Sequence, residues 1–190
     1  NIVTQSLVVT DIKPFVNYNY ETGELGEGIE SYYIYMTHGV GGVAQTRASN
    51  GITYIPSEEN DGKVTYDYES LLFDVNDLGI TSFMWSNPMT MGDVLADKVK
   101  LMPYNDIEDI IRRHIGMAYE RYNMDESLRD GMSLDVDRIT LGMMRIQNKG
   151  DEENYTLIPV WDVFSKQLGD YSLVTINAMD GSIVSRENEY

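Results

Sequence analysis

The sequence predicts an α+β fold of duplicated antiparallel β-meander units with at least one packed helix. Its last thirty residues hold two apolar β-runs, Tyr155-Thr-Leu-Ile-Pro-Val-Trp-Asp-Val-Phe164 and Ser172-Leu-Val-Thr-Ile-Asn-Ala178, then an Asp180-Gly181 turn and a return strand. The middle of the chain repeats the phrase, with Leu71 to Asp74, a turn over Asn76-Asp77-Leu78-Gly79, and Ile80 to Trp85. Between them lies one stretch with helical spacing of its apolar residues. At 190 residues the chain suits a single globular unit made of two related halves, a β-rich half over 1–90 and a helix-plus-meander half over 91–190.

In chain order, Ser6 to Val16 alternates weakly around Leu7-Val8-Val9-Thr10 and reads as the first strand. Asn17 to Glu30, rich in Gly, Asn and Glu, reads as an exposed loop. Ser31 to Met36 is a strand. His38-Gly-Val-Gly-Gly42 is then a turn that returns through Val43 to Arg47. Ser57 to Lys63 is a polar loop, and Val64 to Asp74 pairs with Ile80 to Trp85 as a hairpin. Within residues 89–103, Val94 to Met102 reads either as a short strand or as a helical turn ending at Pro103.

The helix follows. Asn105 is a capping residue with Glu108 as its capping-box partner. Ile107, Ile110, Ile111, Ile115, Ala118, Tyr119 and Tyr122 fall on one stripe. Acids Asp106, Glu108 and Asp109 in the first turn and Arg112, Arg113 and Arg121 further along suit the helix dipole. Asn123 to Ser133 is a polar connection. Strands then run over Asp137 to Gln147, Tyr155 to Phe164, Ser172 to Ala178 and Ser182 to Arg186. Asn148 to Asn154 is a loop whose run Asp151-Glu152-Glu153 keeps it solvated. Pro159 marks its strand as an edge or a bulged one, since proline cannot donate to a ladder.

Thirty-one acids against fourteen bases give a formal charge of −17. That balance disfavours nucleic acid, which needs clustered Lys and Arg, and direct adhesion to anionic lipid heads. The absence of Cys removes disulfides, thiol nucleophiles and thiolate metal sites together. No apolar run approaches the roughly 18–20 residues of a membrane span. Beginning at Asn1 rather than Met, the chain leaves room upstream for a removed secretion signal or lipid anchor and for a leading helix of the first half.

Five phrases then resemble a known family. Trp85-Ser-Asn-Pro88, Val99 to Ile107, Asp137 to Ile146, Leu157-Ile-Pro-Val-Trp-Asp162 and Thr175 to Ile183 look like an uncharacterised family of lipoproteins from Gram-positive gut bacteria. The helix-plus-meander unit is also similar to PepSY-like modules and to the duplicated ectodomains of the YycH and YycI regulators. The resemblance covers roughly residues 30 to 186. It implies an exported, membrane-tethered, non-enzymatic protein that holds other proteins, and it carries no catalytic residues.

Candidate chemistry is sparse. His38 and His114 are the only imidazoles, and spacing brings neither a nucleophile nor an orienting acid to them. Asp135 and Asp137, with Asp125 or Asp130, offer oxygens of the kind Ca²⁺ takes, but lack the Gly and terminal Glu of an EF-hand loop; solvated acids explain them more simply. Catalytic, cofactor and metal residues are therefore assigned to none. The aromatics are richer. Tyr33, Tyr35, Tyr66 and Tyr68 are the candidate binding surface, with Tyr33 and Tyr35 on one strand face and Ile34 on the other. The competing reading is ordinary sheet packing, which Tyr also favours. Trp161 is expected in the core.

The functional expectation is a non-enzymatic extracytoplasmic, lipid-anchored binding or regulatory module at the cell surface, engaging a protein or cell-envelope partner. The alternatives are a carboxylate-based glycan hydrolase and a Ca²⁺-stabilised structural segment of a surface protein.

Overall fold

The computed structural model describes residues 5–46, 69–122, 135–149, 151–166 and 172–185. The chain is α+β, with antiparallel sheets and one helix among the described residues. It divides into two compact units, one of residues 1–47 and 53–94, the other of residues 48–52 and 95–190.

In the first unit, β1 (Gln5–Phe15) leads to the two-residue strands β2 (Tyr18–Asn19) and β3 (Glu24–Leu25), which pair within the stretch expected as a loop. Then come β4 (Ser31–Val40), β5 (Val43–Ala44), β6 (Ser70–Asn76) and β7 (Gly79–Ser86). The sheet runs β1-β4-β6-β7, antiparallel throughout, with β5 also on β4.

The strand expected to end at Met36 continues to Val40, and the turn contracts to Gly41-Gly42, both at positive φ. His38 therefore sits in a strand, not in a turn. Gly39 permits this: a Cβ there would stand 2.6 Å from Val8 Cγ2 and 2.7 Å from the Val43 carbonyl oxygen, so only glycine fits between the neighbouring strands. β5 pairs Gly39 with Ala44 and β6 pairs Met36 with Leu71, while β1 holds the opposite edge of β4. Both return strands thus line one edge of β4, β5 opposite Gly39 and Val40 and β6 opposite Tyr32 to Met36. The expected polar loop at 57–63, the start of the predicted strand at 64–68, Tyr66 and Tyr68 lie outside the described residues.

In the second unit, irregular chain through Pro103 gives way to α1 (Tyr104–Tyr122). The helix begins before its expected cap. The amides of Asp106 and Ile107 both donate to the Pro103 carbonyl, so Asn105 lies inside the first turn. Four strands follow: β8 (Val136–Asn148), β9 (Asp151–Ser165), β10 (Ser172–Asn177) and β11 (Ile183–Val184), in sheet order β11-β10-β9-β8. Ile107 and Ile111 are buried against Val163, Val174 and Ile176, and Met102, Ile110, Ile115, Ile139, Trp161 and Leu173 pack around them. The side chains of Ala118, Tyr119 and Tyr122, at the far end of the expected stripe, lie outside the described residues, as does 123–134.

Two local readings of this sheet change. The run Asp151-Glu152-Glu153 belongs to β9, because Asn148 pairs with Asp151 across a tight hairpin. Pro159 pairs with Met143 of β8, and the last β10 partner of β9 is Val160, one residue on. Proline thus occupies the point where β9 becomes an edge, and its carbonyl accepts from the Ala178 amide at 2.9 Å. β9 is buried on both faces, with Val163 on one and Val160, Asp162 and Phe164 on the other, which is why it reads as a nearly unbroken apolar run. Thr175 donates to the buried Asp162 carboxyl at 2.7 Å.

The β10–β11 turn docks on the helix. Asp180 accepts from the Ser182 hydroxyl and amide, which holds its carboxyl below the usual carboxylate range. Gly181 follows at φ 77°, where an added Cβ would lie 2.6 Å from Ile110 Cδ1 and 3.0 Å from Met102 Sδ. Gly181→Ala is expected to lower unfolding free energy by about 1–2 kcal/mol, chiefly through the left-handed backbone. Gly92→Ala, where nothing stands within 4 Å and φ is ordinary, is the control and stays near neutral. Urea titration of both variants decides it; equal midpoints would refute the assignment.

Candidate functional site

The first unit's sheet sorts its side chains by face. In register with Tyr32, Ile34, Met36 and His38 of β4 lie Leu7, Val9 and Ile12 of β1, Leu71, Phe73 and Val75 of β6, and Ile80, Phe83 and Trp85 of β7. This face is apolar across four strands apart from His38. The opposite face is mixed: it carries Asp11, Lys13, Tyr33, Tyr35, Asp74 and Ser82 together with Val8, Leu72 and Met84.

An antiparallel sheet with one solvated face ordinarily presents its polar side to water. Here seven members of the apolar face, Leu7, Val9, Ile12, Tyr32, Ile80, Phe83 and Trp85, are 45–66% exposed. Phe73 and Phe83 stack with ring centroids 4.9 Å apart on it.

One end of that face is locked by a buried acid. The Glu69 side chain is fully buried, and its Oε2 lies 2.7 Å from His38 Nδ1. The Trp85 indole N–H donates to Oε1 at 2.9 Å, and the Met89 amide donates to the same oxygen at 3.5 Å. The carboxyl therefore ties β4, the start of β6, β7 and the segment beyond β7 together. It also fixes the ring planes of His38 and Trp85, whose centroids are 6.4 Å apart. The cross-strand order explains the meeting: Met36 pairs with Leu71 and Leu71 with Trp85, so one pair further out sets His38 beside Glu69.

An imidazole oriented by a carboxyl is half of a general-base device, yet Nε2 of His38 has no hydrogen-bond partner among the described residues. The neighbouring Thr37 hydroxyl is turned to the His38 carbonyl oxygen at 3.4 Å. The cluster is a clasp. Gln45, just beyond β5, has its side chain buried and neither amide atom hydrogen-bonded among the described residues.

The residues singled out from the sequence are distributed otherwise. Tyr33 and Tyr35 are half-buried on the mixed face, Tyr33 against Phe15 at 5.4 Å and Tyr35 under Lys13 Nζ at 5.8 Å. His114 lines a shallow depression of about 240 Å³ in the second unit with Ile110, Arg113, Met117 and Ile183. Trp161 packs at the rim of the helix core. Among the described residues no group of three His, Cys, Asp or Glu is placed to hold a metal ion, and no helix is long and apolar enough to cross a membrane. Asp125 and Asp130 lie outside them.

The pairing of His38 with Glu69 was out of reach of local pattern, because the partners are 31 residues apart. Its only sequence signal is an acid standing immediately before an apolar strand. No family model, curated protein or solved structure matches this chain.

Two outcomes follow from this geometry. Glu69→Ala leaves the Trp85 and His38 nitrogens without their acceptor, and stability is expected to fall by about 1–3 kcal/mol. Acrylamide quenching of Trp85, read in a Trp161→Phe background, should rise in the same variant; unchanged quenching would mean the clasp does not hold the indole. Conversely, Gln45→Met removes two unpaired polar atoms at nearly constant volume and is expected to raise stability by about 1–2 kcal/mol in chemical denaturation. A loss of stability would show that the amide is satisfied in solution.

Proposed function

We propose that this chain is a non-catalytic binding module that engages another polypeptide through the apolar face of its first sheet. The observation that carries this is the open apolar face of that sheet: aliphatic and aromatic side chains of its outer strands β1 and β7, with Tyr32 of β4, stand about half in water on a chain otherwise dominated by acids. Soluble proteins seldom leave a contiguous apolar face open unless something docks there. Its aromatic members, Phe83 and Trp85, are of the type that supplies most of the energy at protein interfaces. The clasp at Glu69 presets the Trp85 ring, which reduces the entropy lost on binding.

The address belongs to the same proposal. An extracytoplasmic protein held at a Gram-positive cell surface by a lipid anchor is what the sequence resemblance supports. The fold belongs to it too, as a duplicated PepSY- or YycH-like meander unit. The support is that in both four-stranded paths the strands follow chain order, once the short β2, β3 and β5 pieces are set aside.

Glycan hydrolysis by a carboxyl pair gains no support from Glu69, whose two oxygens are engaged by His38 and Trp85. A photo-reactive phenylalanine analogue at Phe83, irradiated in the native cell envelope, is expected to give a discrete polypeptide adduct. The same reagent at Met117, an exposed position of the second unit, should give none. Adducts confined to position 117, or hydrolysis of a cell-wall glycan abolished by one Asp or Glu substitution, would overturn the reading.

A further inference from the structure

The two outer strands of the first sheet are protected very differently. β1 carries Asp11, Lys13 and Pro14 and a register shift between Val9 and Asp11, all devices that keep foreign strands from pairing. β7 has none of these over its regular part. Gly79-Ile-Thr-Ser-Phe-Met-Trp-Ser86 contains no charge and no proline. Its one irregularity lies beside the turn at Thr81, where the pairing shifts between Asp74 and Val75. Both side-chain rows of this edge are open, since Met84 on one face and Phe83 on the other are about half exposed. Among the described residues β6 is its only neighbour.

From this edge we infer that β7 is a docking strand for an extended, basic polypeptide segment of a partner protein, which adds to the sheet as a further strand. The segment presents apolar side chains on alternate positions to continue the row of Phe83 and Trp85. Main-chain hydrogen bonds to β7 supply affinity, and the alternating side chains supply register.

Charge selects the occupant. Lys13 is the only Lys or Arg among the described residues of this unit, against nine Asp or Glu, and Asp77 stands in the turn that opens β7. A basic segment is steered in by that field, whereas a second copy of the same acidic chain is repelled. The inference rests on the docking face proposed above and adds the strand, the pairing mode and the charge of the partner.

The test uses the whole chain and a labelled twelve-residue peptide with two lysines at each end and alternating valine and threonine between. Fluorescence anisotropy is expected to show this peptide binding at least about tenfold tighter than its glutamate-ended twin at low salt. N-methylation of its central residues, which removes the ladder donors, should weaken it by about tenfold or more. Phe83→Lys, checked for folding by circular dichroism, should weaken it similarly through like-charge repulsion. Equal binding of the N-methylated peptide, lost instead on Val9→Asp, would overturn the edge inference while the docking face stands. Indifference to peptide charge would overturn the partner chemistry. A stable dimer dispersed by Phe83→Lys would replace the basic segment with a second copy. No binding of any peptide, together with no adduct at position 83, would remove both readings.

Discussion

The arrangement of the first sheet turns on a single buried carboxyl group. Glu69 has no contact with water and meets His38 of β4, the Trp85 indole of β7 and the Met89 amide just beyond β7. A polar group in that position is tolerated only because its partners are in place; leaving such a group unpaired costs about 1–3 kcal/mol, more than the roughly 1 kcal/mol a made hydrogen bond contributes net. The asymmetry specifies register. A slip of one residue in β4 or β7 would turn His38 or Trp85 to the other face, strand the acid and invert every side chain of the slipped strand. The clasp sits where this constraint has most leverage, just before β6 and beside the end of β7.

Register in turn decides what the molecule shows to its surroundings. With the pairing held, one face of the four strands is aliphatic and aromatic apart from His38, while the other mixes Asp11, Lys13, Asp74 and Ser82 with Tyr33, Tyr35, Val8, Leu72 and Met84. Apart from the buried Glu69 at one end, no acid of the paired strands lies on that face, and β7 carries none. The second unit shows the ordinary solution to the same problem. There one face of the sheet is closed by Ile107 and Ile111 of the helix, and the strand beneath is buried on both sides.

Local chemistry was legible wherever neighbours in sequence are neighbours in space. The helix stripe at Ile107 and Ile111, the hairpin turn at Asp77-Leu78 and the Asp180-Gly181 turn each depend on contacts a few residues apart. Errors arose where a distant strand intervened. Gly39 looked like part of a turn because its neighbours are glycines, and it is extended because Val8 and Val43 leave no room for a side chain. Asp151-Glu152-Glu153 looked like loop because of its charge, and the β8 ladder absorbs it.

Pattern and composition were therefore enough for the class of fold, the helix, most strands and the absence of thiol chemistry, because propensity, turn residues and periodicity act over a few positions. They could not settle which face of the first sheet stays open, which edge is unguarded, or that His38 and Glu69 meet. Those outcomes depend on the pairing of strands separated by tens of residues. Alternation along one strand says which side chains share a side, and only the neighbouring strands say which side meets water.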